Sequence, residues 1–421
     1  VTEYAAGGSG ISLYLGKIRS IGSYCGQSNL SHGIMPFVKL ADANISAIRQ
    51  TSLRDGAGIV WLNVDHPEIQ EFLTIGDPIS PIQKLKTGVV LTDEFMEAVK
   101  KDTDFVLKNS DHYYEKYPHC HTKKTVKARA LLNKIAAARL RKGNPSIFFR
   151  HDSNVLCPNL CCEVLLDTSK HEIEVCCLAT VNISEFINEY QRLESDSLYS
   201  LMTQLIEKLR GIRASVEVPS GNAVGVGIAG VFDVINYICK YERNRTKYFI
   251  DHFLGDLISV FKKIKGAYPD GQVLAIAPNT YTSYVMGCSA GITPRPTHIY
   301  SKHLSRGKVA IKCPVWDSTT TKLFYMHNIN RKPPCFEYSN EYDLNLMETI
   351  VAKLTPYMDQ GISCSTIYEM EEDANATDTL RRHAIHIEKL YYAGFKTIYY
   401  HSTRTSETCN LGGETCNICE N

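Results

Sequence analysis

A chain of 421 residues, 44% of them apolar, holds enough hydrophobic material for one large α/β domain or two of ordinary size. Its 46 basic and 45 acidic side chains leave a formal charge of +1, which argues against a surface that tracks polynucleotide phosphates and points to a small substrate. No run of about 18 apolar residues occurs, so no membrane span is expected. Val1-Thr2-Glu3-Tyr4 lacks the basic and apolar regions of a signal peptide.

Along the chain, glycine-rich turns and short apolar runs alternate with longer amphipathic stretches, the pattern of an α/β fold. Gly88-Val89-Val90-Leu91 reads as a buried strand. Residues 92–101 read as a helix, with Asp93 and Glu94 in the first turn and Lys100 and Lys101 at the end, as the helix dipole favours. The polar stretch 102–124, with Tyr113, Tyr114 and Tyr117, reads as an inserted surface loop. Its His119-Cys120-His121 triplet is assigned no metal, because adjacent residues rarely point at one ion and no partner cluster has tetrahedral-site spacing. Helices are expected over 125–141 and 198–209, and a strand over 307–313. After Tyr400 the composition turns to Ser, Thr, Gly, Asn and Cys, so a domain over 1–402 is expected to end in a mobile tail, 403–421.

The fifteen cysteines are clustered rather than evenly spaced: Cys157, Cys161, Cys162, Cys176 and Cys177 in the middle, and Cys409, Cys416 and Cys419 in the tail. Such clusters read as redox or metal groups in a reducing cytosol, hence a cytoplasmic protein. Four segments carry candidate chemistry. In Asn159-Leu160-Cys161-Cys162-Glu163, an extended backbone would set Cys161 and Glu163 on one side and Cys162 on the other, placing a thiol beside a proton acceptor. Two core cysteines near a surface Glu are the plain alternative. Cys176 and Cys177 follow on an expected strand, one facing each way. Pro278-Asn279-Thr280-Tyr281-Thr282-Ser283 is a hydroxyl-rich turn running into a helix, whose first N–H groups suit a phosphate, or serve as a plain N-cap. Last come Tyr399 and Tyr400, which close an apolar stretch.

In this order, and followed by Cys416-x-x-Cys419, the four segments resemble the large subunit of class I ribonucleotide reductases, whose signature is Asn-Leu-Cys-x-Glu on a finger loop. The resemblance runs from Tyr4 onward through 16–23, 225–228, Asp359-Gln360 with Ile362-Ser363, and 397–404. It implies a ten-stranded α/β barrel of two half-barrels joined antiparallel around the finger loop. It implies reduction of ribonucleoside diphosphates to 2′-deoxyribonucleoside diphosphates. Cys161 would hold a transient thiyl radical that removes the 3′ hydrogen, Glu163 would act as general base on the 3′-hydroxyl, and Asn159 would hydrogen-bond the substrate. Cys176 would be half of the thiol pair that reduces the 2′ carbon; a one-residue register change would give that place to Cys177. Tyr399 and Tyr400 would relay the radical from a small subunit carrying a dimetal centre, and residues 278–283 would cradle the diphosphate. Cys416 and Cys419 would re-reduce the active-site disulfide and be reset by thioredoxin or glutaredoxin. No cofactor bound by this chain itself is implied, and Cys409, Cys416 and Cys419 fall one ligand short of a zinc knuckle.

The chain also departs from that pattern. The second redox cysteine of the family sits on the first barrel strand, upstream of the point that aligns with Val1, as does the regulatory region. The expectation is therefore a companion N-terminal large-subunit chain, or a longer parent protein, in a homo- or hetero-oligomer. Gln50 and Arg54 fall in the segment matching the second effector loop, Arg54 at the position that reads the substrate base. The first loop, 22–26, lacks the family's effector arginine, so a nucleotide effector is an open expectation. Two rivals stand beside this reading. One is a class II, cobalamin-dependent reductase, against which the Tyr399-Tyr400 pair weighs. The other is a non-catalytic binding or assembly fragment, which adding a separate N-terminal piece would distinguish.

Overall fold

The structure is a computed structural model that describes all residues except 1, 27–28, 51–53, 121–122, 152–153, 169–172, 189, 191, 216–221, 242–245, 295–298, 305–306, 313–340, 371–374 and 406–421. The chain forms two compact units. One comprises Val1–Cys162, Lys302–Val309 and Ser365–Asn421, the other Glu163–Ser301 and Ala310–Cys364.

The first unit is built on a five-stranded sheet in the order Ile11–Tyr14, Gly58–Asn63, Leu85–Thr92, Ser146–Arg150, Thr397–Ile398. Its first four strands are parallel and the last is antiparallel. Ile59-Val60-Trp61-Leu62, Val89-Val90-Leu91 and Ile147-Phe148-Phe149 are buried without alternation, as strands covered on both faces must be. Gly88 pairs with Trp61, and a Cβ there would lie 2.3 Å from the indole, so only glycine leaves room for it. The expected helix is Asp93–Lys100, capped by the Thr92 hydroxyl, which accepts the Phe95 N–H at 3.2 Å.

The stretch 102–124 is more than the surface loop its polarity suggested. Strands Asp104–Lys108 and Lys123–Lys127 pair antiparallel around a short helix, Asp111–Lys116. Phe105 and Leu107 face inward while Asp104 and Val106 are exposed, so the polar composition of the stretch hides the strand. For the same reason the following helix is Ala128–Lys142: residues 125–127, read as its first turn, belong to the strand. It ends on Gly143 at φ 73°, the left-handed cap glycine favours, and the helix Ala376–Tyr392 packs against it. Beyond the tyrosines, His401–Thr405 pairs in parallel with Thr366–Met370, which carries sheet pairing past the boundary expected at 402. Cys409, Cys416 and Cys419 lie outside the described residues.

In the second unit, Leu178–Asn182 and Gly225–Ala229 run parallel, and parallel bridges Val226–Leu274 and Ile276–Ile362 extend the ladder. A Cβ on Gly227 would lie 2.3 Å from the Ala275 carbonyl, which accounts for the Gly-x-Gly in that strand. Helices Ser195–Ala214 and Thr246–Ala267 pack together. The first of them extends beyond the expected 198–209 at both ends. A strand Gly307–Lys312, whose residues divide between the two units, matches the strand expected over 307–313, position 313 lying outside the described residues. Each unit thus supplies its own parallel strands, in keeping with the α/β class.

Candidate functional site

In the first unit, the segment before Cys161 is seated on the edge strand. Ser12 Oγ donates to the Pro158 carbonyl at 2.6 Å, and Leu160 packs over Gly10, where a Cβ would come within 2.7 Å of it. The backbone then turns: the Asn159 carbonyl accepts the Cys162 N–H at 3.2 Å, and Cys162 sits at φ 67°. The extended conformation assumed for Cys161 and Glu163 is therefore not adopted. A left-handed residue between them removes the alternation from which a shared side was inferred. Cys162 is wholly buried, whereas Cys161 is half-buried.

What the turn achieves is a meeting of Cys161 with the tyrosine pair. Tyr399 Oη lies 3.9 Å from Cys161 Sγ as donor, and the Tyr399 and Tyr400 rings stack with centroids 3.7 Å apart at 33°. Burial first, then the neighbouring Cys161 and Tyr400, hold the Tyr399 pKa well above the usual 10.0, so the phenol keeps its proton. Several bonds fix the backbone here. Thr397 Oγ1 donates to the Cys162 carbonyl at 2.8 Å, the Tyr400 carbonyl accepts the Thr366 N–H at 2.9 Å, and the His401 N–H donates to Gly143 at 2.8 Å.

Sequence reasoning missed four residues behind this pair. Arg139, wholly buried, donates to the carbonyls of Pro145 and Tyr399 and to Thr366 Oγ1. Thr366 Oγ1 in turn meets His401 Nδ1 at 2.9 Å, and the His401 ring lies 4.2 Å from that of His383. A signal existed: Arg139 continues the helical spacing of the buried Leu131, Leu132, Ile135 and Ala136. At the ends of the parallel strands, Tyr14 Oη and Arg150 Nη2 both donate to Asn63 Oδ1, at 2.9 and 2.6 Å. Cys157 lies 3.8 Å from Ser12 Oγ, its pKa pushed up to about 12 by burial. Gln50 and Arg54 are paired across a two-residue antiparallel ladder, with the loop tip outside the described residues.

The second unit holds the remaining candidates. Glu163 is buried, and its carbonyl accepts the Gly361 N–H at 2.8 Å. Cys176 and Cys177 precede the strand that was expected to carry them, which begins at Leu178. Arg213 ties that segment down by donating to the Val175 carbonyl and to Glu174 Oε2, both at 3.0 Å. Cys176 is exposed, while Cys177 directs its thiol at the Leu209 carbonyl, 3.8 Å away. The turn at 278–283 has the expected form, with Asn279 at φ 56° and a helix from Thr280. Asn279 Oδ1 accepts from Thr180 Oγ1 at 2.8 Å, and Tyr281 and Thr282 are exposed. Ser283 is buried and its hydroxyl donates to the Thr280 carbonyl, so its proton is already committed.

Among the described residues, no helix is long and apolar enough to cross a membrane. The sequence profile described as "Ribonucleotide reductase, barrel domain" matches residues 1–235 and 261–401. The chain is 23% identical to a putative ribonucleoside-diphosphate reductase large subunit of Frog virus 3, over 91% of this chain and 76% of that protein. It is likewise 23% identical to the ribonucleoside-diphosphate reductase subunits alpha of Synechocystis, over 98% of this chain and 65% of the relative, and of Bacillus subtilis, over 98% and 72%. The profile match covers both units and both cysteine segments, so the chain belongs to the ribonucleotide reductase family, in its barrel domain, and is an enzyme of the large-subunit type.

Proposed function

We propose that this chain reduces ribonucleoside diphosphates to 2′-deoxyribonucleoside diphosphates by thiyl-radical chemistry, as the catalytic part of a class I large subunit. The observation that carries the reading is the Tyr399 phenol against the Cys161 thiol, stacked on Tyr400. A phenol beside a thiol, once oxidised to its neutral phenoxyl radical, can take a hydrogen atom from it, and a second stacked phenol extends the path. The radical would come from a small subunit with a dimetal centre. Cobalamin chemistry has no use for such a pair.

Cys161 would then take the ribose 3′ hydrogen, with Glu163 as general base and Asn159 orienting the hydroxyls. The exposure of Cys176 favours it over Cys177 as the reducing thiol. Pro278, Asn279, Thr280, Tyr281 and Thr282 would line the diphosphate site, with backbone N–H groups as principal donors. Ser283 shapes that turn rather than donating its own hydroxyl. Cys416 and Cys419 would return the disulfide to thiols at the expense of thioredoxin or glutaredoxin, and Gln50 and Arg54 would communicate an effector nucleotide. The barrel of the family, ten strands in two halves, is the fold within which these roles are assigned.

The test is reconstitution with a radical-loaded small subunit and a thioredoxin system, with and without an N-terminal large-subunit piece, following deoxynucleotide formation. Product that disappears in Cys161→Ser and in Tyr399→Phe supports the proposal. Product formed equally well by those variants, or only with adenosylcobalamin, refutes it.

A further inference from the structure

Arg139 presents a problem in electrostatics. It is wholly buried, and no carboxylate among the described residues pairs with it; the neighbouring group that raises its pKa is Cys162, which carries charge only as a thiolate. Its acceptors are two carbonyls and one hydroxyl, which a neutral side chain could also satisfy. Desolvating a guanidinium without a counter-ion costs several kcal/mol. Burial lowers its pKa to about 9, which leaves it charged near neutrality. The two imidazoles beyond it are held neutral: burial and the Arg139 charge both push the pKa values of His401 and His383 far below 6.5. His383 is 1% exposed with neither ring nitrogen hydrogen-bonded, so the surroundings offer the cation nothing ionic.

The placement supplies a reason for the charge. Arg139 reaches from the helix Ala128–Lys142 to three other segments: the turn after that helix through Pro145, the strand Thr366–Met370 through Thr366, and the Tyr399 carbonyl at 3.2 Å. It therefore lies directly under the residue whose phenol faces Cys161.

We propose that Arg139 is a positioning residue for the Tyr399–Cys161 hydrogen transfer, holding the Tyr399 backbone so that phenol meets thiol, and using its charge to oppose positive charge on the ring. This inference rests on the radical-relay reading above. In the step it serves, a Tyr399 phenoxyl radical, generated through Tyr400 by the small subunit, takes one electron and one proton from Cys161. The S–H bond breaks and the O–H bond forms, leaving Tyr399 a phenol and Cys161 a thiyl radical. A nearby buried cation penalises the protonated ring cation, the intermediate of a stepwise route, and leaves the neutral hydrogen-atom route untouched.

The experiment uses the full chain reconstituted with its small subunit, a thioredoxin system and an N-terminal large-subunit piece, and three variants: Arg139→Gln keeps donors but loses charge, Arg139→Lys keeps charge but loses the fork, and Arg139→Met loses both. Turnover, KM and the rate of Cys161 alkylation by iodoacetamide, read by mass spectrometry, are measured for each. A misplacement of the reacting atoms predicts a fall in kcat of about tenfold or more in Arg139→Gln, with KM within about twofold of the parent. Arg139→Lys recovers part of that loss, and Arg139→Met adds faster alkylation of Cys161 as the phenol moves off it. Folded Gln and Met variants with parental kcat and parental alkylation rates overturn the proposal. Should Met fail to fold, the Gln and Lys pair decides on kcat alone. If the parent chain makes no product even with its small subunit, a thioredoxin system and an N-terminal large-subunit piece all present, the relay reading itself fails and takes the transfer role with it; alkylation then still shows whether Arg139 places Tyr399 over Cys161.

Discussion

Two cysteines of the same proposed reaction sit in opposite surroundings. Cys161, in the first unit, is covered by a buried phenol and approached by a backbone fixed from several sides. Cys176, in the second, is exposed on a segment that precedes its strand and is held through Arg213. The contrast follows from chemistry: a thiyl radical must be shielded from any hydrogen donor except its intended one, whereas a thiol that forms and exchanges a disulfide must be reachable.

The largest effect should come from breaking the shielded side. Tyr399→Phe keeps the ring but cannot exchange a hydrogen atom, and turnover should fall by on the order of 10³-fold or more, equivalent to roughly 4 kcal/mol of barrier. Nucleotide binding should remain, checked by equilibrium binding of a diphosphate; a Phe variant with near-parental turnover would separate Tyr399 from the reaction.

On the open side, thiol reactivity should sharpen the contrast. Cys157 has its pKa raised from 9.0 to about 12. Its thiolate fraction at pH 8 should therefore be about 10³-fold below that of an ordinary thiol. In a native alkylation time course Cys176 should be labelled before Cys157, and the reverse order would deny the difference in access. A smaller contrast is expected within the pair: Cys176→Ser should stop multiple turnover, while Cys177→Ser stays within about threefold of the parent, losing only a weak thiol contact.

The weakest effect concerns stability. His383 and His401 have folded pKa values far below the unfolded 6.5, so below that pH the unfolded chain binds protons the folded one cannot. The stability they allow is complete above pH 6.5 and is lost as pH falls, by up to about 1.4 kcal/mol per pH unit for each group. Thermal melts between pH 7 and 5 should show this slope, and His383→Leu should flatten it. A melt insensitive to that substitution would mean that His383 does not resist protonation.

How much of this was legible in the sequence depended on range. The strand Leu85–Thr92 and the helix Asp93–Lys100 declare themselves through local pattern and a capping threonine. The pair Asp104–Lys108 and Lys123–Lys127 does not, since the first strand buries only Phe105 and Leu107 and the second buries none of its residues. Cys161, Tyr399 and Tyr400 stood out because their order matched a family. The contact between Cys161 and Tyr399 spans most of the chain, and periodicity carries no information about it. The left-handed Cys162 was invisible too: no glycine marks the position in Asn-Leu-Cys-Cys-Glu, and the shared side for Cys161 and Glu163 was conditional on an extended backbone. Arg139 broke the apolar spacing of its helix, but only the fold shows that His401, thirty-five residues beyond Thr366, completes its surroundings.

The glycine beneath Trp61 has an optical consequence. The chain has two tryptophans, and Trp61 is wholly buried in the parallel sheet, its indole N–H unbonded and its face against Gly88. An indole so enclosed emits toward the blue, and any loosening of the strands beside it would admit water and shift that emission to the red. The sheet that seats the reactive thiol therefore contains its own dye.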